Sequence, residues 1–161
     1  MKYKIFVSSV QKEFKDERKA LKDYLHGDAL FSRFFEVFLF EDLPASDRHP
    51  NQAYLDGVKK SDIYLGLFGD GYGVIDKQGV SSTHKEFLMA QQLGKSRLIF
   101  VKGNDDNSRD PKMQGLMRAA GKQVIRRRFQ SSSELITSVY ASLVDYLVTK
   151  GLLRFGPFDA T

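Results

Sequence analysis

Residues 61–93 read SDIYLGLFGDGYGVIDKQGVSSTHKEFLMAQQL. Residues 62–68 make an apolar run of strand length, which predicts a strand buried on both faces. The glycine-rich segment Gly69, Asp70, Gly71, Tyr72, Gly73 follows, and residues 83–93 then carry helical spacing up to a stop at Gly94. Glu86 falls in the first turn of that helix. A buried strand that delivers a polar loop and a carboxylate to its C-terminal end is the usual place for a ligand site in an open α/β sheet.

Working outward, the same alternation repeats. Residues 3–8 (YKIFVS) predict a buried first strand ended by Ser8 and Ser9. Residues 11–26 place Phe14, Leu21, Tyr24 and Leu25 on one helical face, with Gly27 as the stop. Residues 34–40 (FFEVFLF) predict a second strand, and residues 51–60 a short helix after a polar loop with two prolines. Residues 97–101 (RLIFV) predict a fourth strand, 113–120 a short helix, and 123–129 (QVIRRRF) a fifth strand polar enough for a sheet edge. Residues 131–150 predict a last helix with a broad apolar stripe and a Ser131/Glu134 capping box. Strands alternating with helices imply a three-layer α/β domain, a five-stranded parallel sheet with helices on both faces. Right-handed crossovers favour the flavodoxin-like order 2-1-3-4-5. That order sets Ser8 and Ser9 beside the glycine loop. Residues 1–150 are read as the domain. Residues 151–161 (GLLRFGPFDAT) lose helical periodicity and are read as the start of a linker to a further C-terminal region.

Composition narrows the function. The 161 residues suit one domain with a core of its own. With no cysteine, a disulfide framework, a thiolate metal site and a cysteine nucleophile are excluded, and a reducing, cytoplasmic setting is expected. No run is long enough to span a bilayer. The three histidines lack metal-ligand spacing, so neither a metal nor a cofactor is expected. Net charge is +5 but dispersed, unlike the concentrated face of a nucleic-acid binder. Arg126, Arg127 and Arg128 suit protection of an edge strand, with a basic patch as the alternative.

Each candidate site residue has an architectural reading beside the functional one. Gly69, Gly71 and Gly73, with Asp70 and Tyr72 between them, allow close backbone approach to a phosphate or ribose, or simply make a turn. The segment is neither a dinucleotide fingerprint nor a Walker A loop. Ser8 and Ser9 can bond a ligand or cap a helix beginning near Val10. Thr83 to Glu86 spells S/T-x-x-E, so Glu86 can cap the Thr83 N–H. The same carboxylate can face the crevice, hold a ribose hydroxyl and stabilise an oxocarbenium-like centre. His84 is expected to face solvent.

In combination these pieces resemble a bacterial family of domains of unknown function with a TIR-like fold. The features that carry the resemblance are Ser8, Ser9, Glu17, Arg18 and Leu21; then Asp62, Ile63, Tyr64, Gly66, Gly69, Tyr72 and Gly73; then Ser81 with Glu86. The resemblance covers most of residues 4–101. It implies kinship with TIR domains and nucleoside 2-deoxyribosyltransferases, in which a glutamate near this junction carries N-glycosidic chemistry; Glu86 would inherit that role. Residues 152–160 resemble a junction to a Schlafen/AlbA-type module of multidomain regulators, so DNA contact would come only through such a module. The leading expectation is a sensor domain of a bacterial regulatory or defence protein that binds an NAD-like nucleotide or nucleoside, with hydrolysis of its N-glycosidic bond left open. In it Ser8, Ser9, the 69–73 backbone, Ser81 and Ser82 hold phosphate or ribose, Tyr72 stacks on a base and Glu86 is catalytic. The alternatives are a non-catalytic self-association module and a nucleoside 2-deoxyribosyltransferase. In the last, Val80-Ser81-Ser82-Thr83 stands in place of the Asp-x-Gly-Thr pattern.

Overall fold

The computed structural model describes residues 1–154 and Gly156. Five strands, β1 (Tyr3–Ser8), β2 (Phe35–Phe38), β3 (Ile63–Phe68), β4 (Ser96–Lys102) and β5 (Arg126–Phe129), form one all-parallel sheet in the order β2-β1-β3-β4-β5. Between and after them run α1 (Lys15–Gly27), α2 (Phe31–Phe34), α3 (Pro50–Lys60), α4 (Ser82–Gln92), α5 (Pro111–Gly121) and α6 (Ser132–Thr149), with a 3₁₀ turn at Phe40–Asp42. The expected class and strand order are thus observed.

Alternation along the central strands builds two cores. Ile5, Val7, Ile63, Leu65 and Leu67 face α1 and α6, whose Leu21, Leu25, Leu135, Val139, Leu143 and Leu147 close that side together with Phe14 just before α1. Phe6, Tyr64 and Phe68 face α3, α4 and α5, packing on Val58, Phe87, Ala90, Met113 and Leu116. Every residue of β3 is buried, as its unbroken apolar run requires. Gly94 ends α4 with φ +64°, conformational space that favours glycine.

Several boundaries differ from the sequence expectation, each for a local reason. The first helix begins at Lys15, not residue 11, because Glu13 is drawn away to the backbone of the glycine loop. Gly27 is the last residue of that helix rather than its stop; Asp28 follows, accepting the Leu30 and Phe31 N–H groups and starting α2. The second strand keeps only Phe35–Phe38, since Phe34 ends α2 and Phe40 turns to stack on Tyr54. In α6, Ser131 accepts the Glu134 N–H as expected, but Glu134 reaches the Gln130 N–H, one residue earlier than the usual box. Beyond α6, Gly151 has φ +74°, Leu152 N–H bonds the Leu147 carbonyl, and Leu153 packs on the core. Within the expected linker, residues 155 and 157–161 lie outside the described residues.

Candidate functional site

At the C-terminal ends of β1 and β3 a crevice of about 240 Å³ opens between residues 9–12, Tyr54 of α3, Gly73 and Val74, and the start of α4. That is smaller than the roughly 300–1,000 Å³ of pockets for drug-sized ligands, so it suits a sugar with part of its substituents. A larger groove of about 450 Å³ runs along β4, β5 and α6, but its charged side chains, such as Arg127 and Asp145, are exposed. The smaller crevice holds the buried titratable group.

That group is Glu86, 3 % exposed. The helix is capped two residues before the expected capping box. Ser81 is the N-cap, its Oγ accepting the His84 N–H at 3.2 Å. Glu86 therefore lies beyond the first turn, on the stripe Thr83, Glu86, Phe87, Ala90 that packs on the sheet. It does not cap Thr83; it lines the crevice. Burial pushes its carboxyl up to about 8, with the Arg18 charge and the nearby Ser8 hydroxyl pulling the other way.

Arg18 of α1 organises the neighbourhood. It is 1 % exposed. Its Nε and Nη2 hold both Glu41 oxygens at 2.8 and 2.7 Å, and its Nη1 reaches the Val7 carbonyl at 3.0 Å and Ser9 Oγ at 2.9 Å. Ser8 is fully buried and accepts from the Tyr64 hydroxyl at 3.1 Å. Neither serine caps a helix, since α1 begins six residues beyond Ser9 and has no side-chain cap. Tyr54 lines the crevice, half-buried, with its ring stacked on Phe40 at 4.0 Å. Burial and the nearby Glu86 raise its phenol.

The glycine loop is arranged differently from expectation. The amides of Asp70 and Gly71 donate to the two Glu13 oxygens at 2.6 and 3.1 Å, so the chain's own carboxylate occupies that backbone cradle. A Cβ at Gly69 would stand 2.0 Å from Glu13 Oε1, so only glycine admits this approach. The Asp70 side chain points outward to Arg109. Tyr72 does not offer its ring to a ligand: it is 4 % exposed, packs in the α3/α4/α5 core, and its hydroxyl meets His84 Nδ1 at 2.6 Å. His84 is accordingly half-buried rather than solvent-facing, and burial lowers its pKa.

The DUF4062 profile, described as a domain of unknown function, matches residues 4–144. The chain belongs to the DUF4062 family. No curated protein matches it by sequence. Among solved structures, a CMP N-glycosidase from Clostridium botulinum, BcmB, is similar with a TM-score of 0.56 at 14% identity, over 86% of this chain and 98% of that one. A conserved protein from Enterococcus faecalis V583 gives a TM-score of 0.49 at 13% identity, over 88% of this chain and 99% of that one. At such identity the BcmB likeness speaks for the fold.

Of the residues picked from the sequence of this DUF4062 member, Ser9, Gly73, Ser82 and Glu86 meet at the crevice. Ser8 sits behind it, Ser81 serves as a cap, and Gly69, Asp70, Gly71 and Tyr72 are engaged elsewhere. Sequence reasoning passed over Lys12, Glu13 and Tyr54, and took Arg18 only as part of the family resemblance, without a role at the site. Arg18 also had a local signal: an arginine four residues after Phe14 and three before Leu21 sits on the apolar stripe of its helix. Among the described residues, no three His, Asp or Glu side chains gather as metal ligands. No described helix is long and apolar enough to cross a membrane.

Proposed function

We propose that this domain binds the ribosyl part of an NAD-like nucleotide in the crevice beyond β1 and β3 and hydrolyses its N-glycosidic bond, with Glu86 as the catalytic carboxylate. The observation that carries this reading is a carboxyl 3 % exposed on the crevice wall, raised to about 8 by burial. Such a group rests protonated at neutral pH. A ligand that brings its own positive charge draws it into the ionised form. A ribosyl-pyridinium does so, and its base leaves as a neutral molecule without a proton donor. A neutral nucleoside needs a proton on its base. Glu41, the carboxylate paired with Arg18, is held by that guanidinium and does not line the crevice. The fold likeness to a CMP N-glycosidase is in keeping with this class of chemistry.

In the step, the bond from C1′ to the ring nitrogen breaks and its electron pair stays on the nitrogen. The developing charge on C1′ is stabilised by the Glu86 carboxylate. A water oxygen bonds C1′, and its proton passes to Glu86 and on to solvent. NAD⁺ would give nicotinamide, ADP-ribose and one proton. Tyr54, backed by Phe40, takes the stacking role that Tyr72 cannot.

The test is nicotinamide release from NAD⁺ by concentrated protein, wild type against Glu86→Gln, with CMP and deoxynucleosides as comparison substrates. A loss of about 10²-fold or more is expected; equal turnover removes Glu86 from the mechanism. Exposed Val74 (90 %) and Ile75 (51 %) beside the crevice favour self-association as a second reading. A monomer across a light-scattering dilution series counts against that one.

A further inference from the structure

Ser8 and Ser9 are adjacent in sequence but face opposite ways. Strand alternation turns Ser8, the last residue of β1, to the side of Phe6 and Tyr64, where α4 packs, while Ser9, just past the strand, meets Arg18 of α1. Each hydroxyl has an acceptor position filled from behind: Ser8 Oγ by the Tyr64 hydroxyl at 3.1 Å, Ser9 Oγ by Arg18 Nη1 at 2.9 Å. A hydroxyl has one proton to give. With a donor already on its oxygen, that proton must be aimed elsewhere. Ser8 is fully buried, on the sheet face that α4 covers with its buried stripe Thr83, Glu86, Phe87 and Ala90, and Glu86 is the carboxyl on that stripe. Ser9 lines the crevice. Arg18, with side-chain exposure of 2 %, is shielded from any ligand, and three of its other four N–H groups are engaged by Glu41 and Val7.

We propose that the two serines are oriented donors with separate targets: Tyr64 positions Ser8 to donate to Glu86, while Arg18 positions Ser9 to donate to a hydroxyl or phosphate oxygen of the ligand. This rests on the proposed function for the identity of the ligand, but not for the Ser8 half. Arg18 then acts on the ligand only through Ser9, polarising its O–H with a buried charge. Ser8 ceases to be a ligand contact. The charged and titratable groups around Glu86 are Arg18 from α1 with its partner Glu41, Tyr54 from α3, Tyr64 from β3, and Lys12 on the crevice wall.

The test uses the whole chain. Carboxyl ¹³C NMR titration of Glu86 without ligand is compared in wild type, Ser8→Ala, Tyr64→Phe and Ser9→Ala. Loss of a hydrogen bond to the ionised form raises the midpoint, by about one pH unit for Ser8→Ala. Tyr64→Phe gives a smaller rise in the same direction, and Ser9→Ala gives none. An unmoved midpoint in Ser8→Ala, or an equal rise in Ser9→Ala, overturns the assignment. Tyr64→Phe is the check should Ser8→Ala fold poorly, and an unmoved midpoint there removes Tyr64.

The ligand half is read by calorimetry with ADP-ribose. Ser9→Ala weakens binding about 5–10-fold, Ser9→Thr restores it, and Arg18→Lys adds little on top of Ser9→Ala. Equal binding by wild type and Ser9→Ala overturns the Ser9 half alone. A wild type that neither binds ADP-ribose nor cleaves NAD⁺ overturns the proposed function and the Ser9 half together, with the Ser8 half still decided by the titration.

Discussion

Glu86→Gln offers a test of the buried carboxyl that needs no substrate. Glutamine keeps the shape and polarity of the side chain but cannot ionise. In the wild type, the folded chain holds a proton on Glu86 between its ordinary 4.5 and about 8, where the unfolded chain has released it. The folded state binds more protons over that window, so its stability falls as pH rises through it. At about 1.4 kcal/mol per pH unit, the interval from 4.5 to about 8 amounts to on the order of 5 kcal/mol once the group is fully ionised. Glu86→Gln is free of that penalty. Urea unfolding of both proteins at pH 5, 7 and 9 measures it. The stability of the variant relative to the wild type should climb by on the order of 4 kcal/mol between pH 5 and pH 9. Other titrating groups are common to both proteins and cancel in the difference. A constant difference across the three pH values would refute the reasoning, because it would mean that Glu86 ionises at its ordinary pKa and is not desolvated.

Three further outcomes follow from the geometry. In NAD⁺ turnover, Tyr54→Ala raises KM about tenfold or more with kcat less affected, whereas Tyr54→Phe stays close to wild type; equal loss in both would assign the role to the hydroxyl instead of the ring. Gly69→Ala drives a Cβ into the Glu13 carboxylate and the Phe14 ring and costs about 2 kcal/mol in urea unfolding; an unchanged midpoint would show that the clasp is dispensable. His84, held at a lowered pKa by burial, adds stability above its ordinary 6.5 that is lost as pH falls through the folded value; His84→Gln should flatten that acid-side slope, and a slope unchanged in the variant would exclude His84 as its source.

Nicotinamide release also has a direction with pH. If the ionised Glu86 is the working form, kcat/KM rises with pH through about 8 in the wild type. A rate that falls over that range would make the protonated form the active one.

What the sequence determined alone is the frame. Unbroken apolar runs such as IYLGLF, helical stripes such as Leu135, Val139, Leu143 and Leu147, and the glycine stop at Gly94 are local signals, and parallel crossovers leave few ways to join them. The place of the candidate site was legible for the same reason, since strand order sets the end of β1 against the end of β3. Glu86 was legible as a residue but ambiguous as a chemistry: Thr83-x-x-Glu86 is a valid cap wherever a helix begins at Thr83. Only the tertiary structure decided that the helix begins at Ser82, which turns Glu86 from the first turn onto the buried stripe. Likewise, nothing local says that Glu13, fifty-seven residues before Asp70, fills the glycine cradle, or that Arg18 lies under Ser9. Those contacts join segments distant in sequence. They exist because the sheet brings the loop after β1 beside the loop after β3, and the partners that set each group's burial, charge and hydrogen bonding come from across that junction.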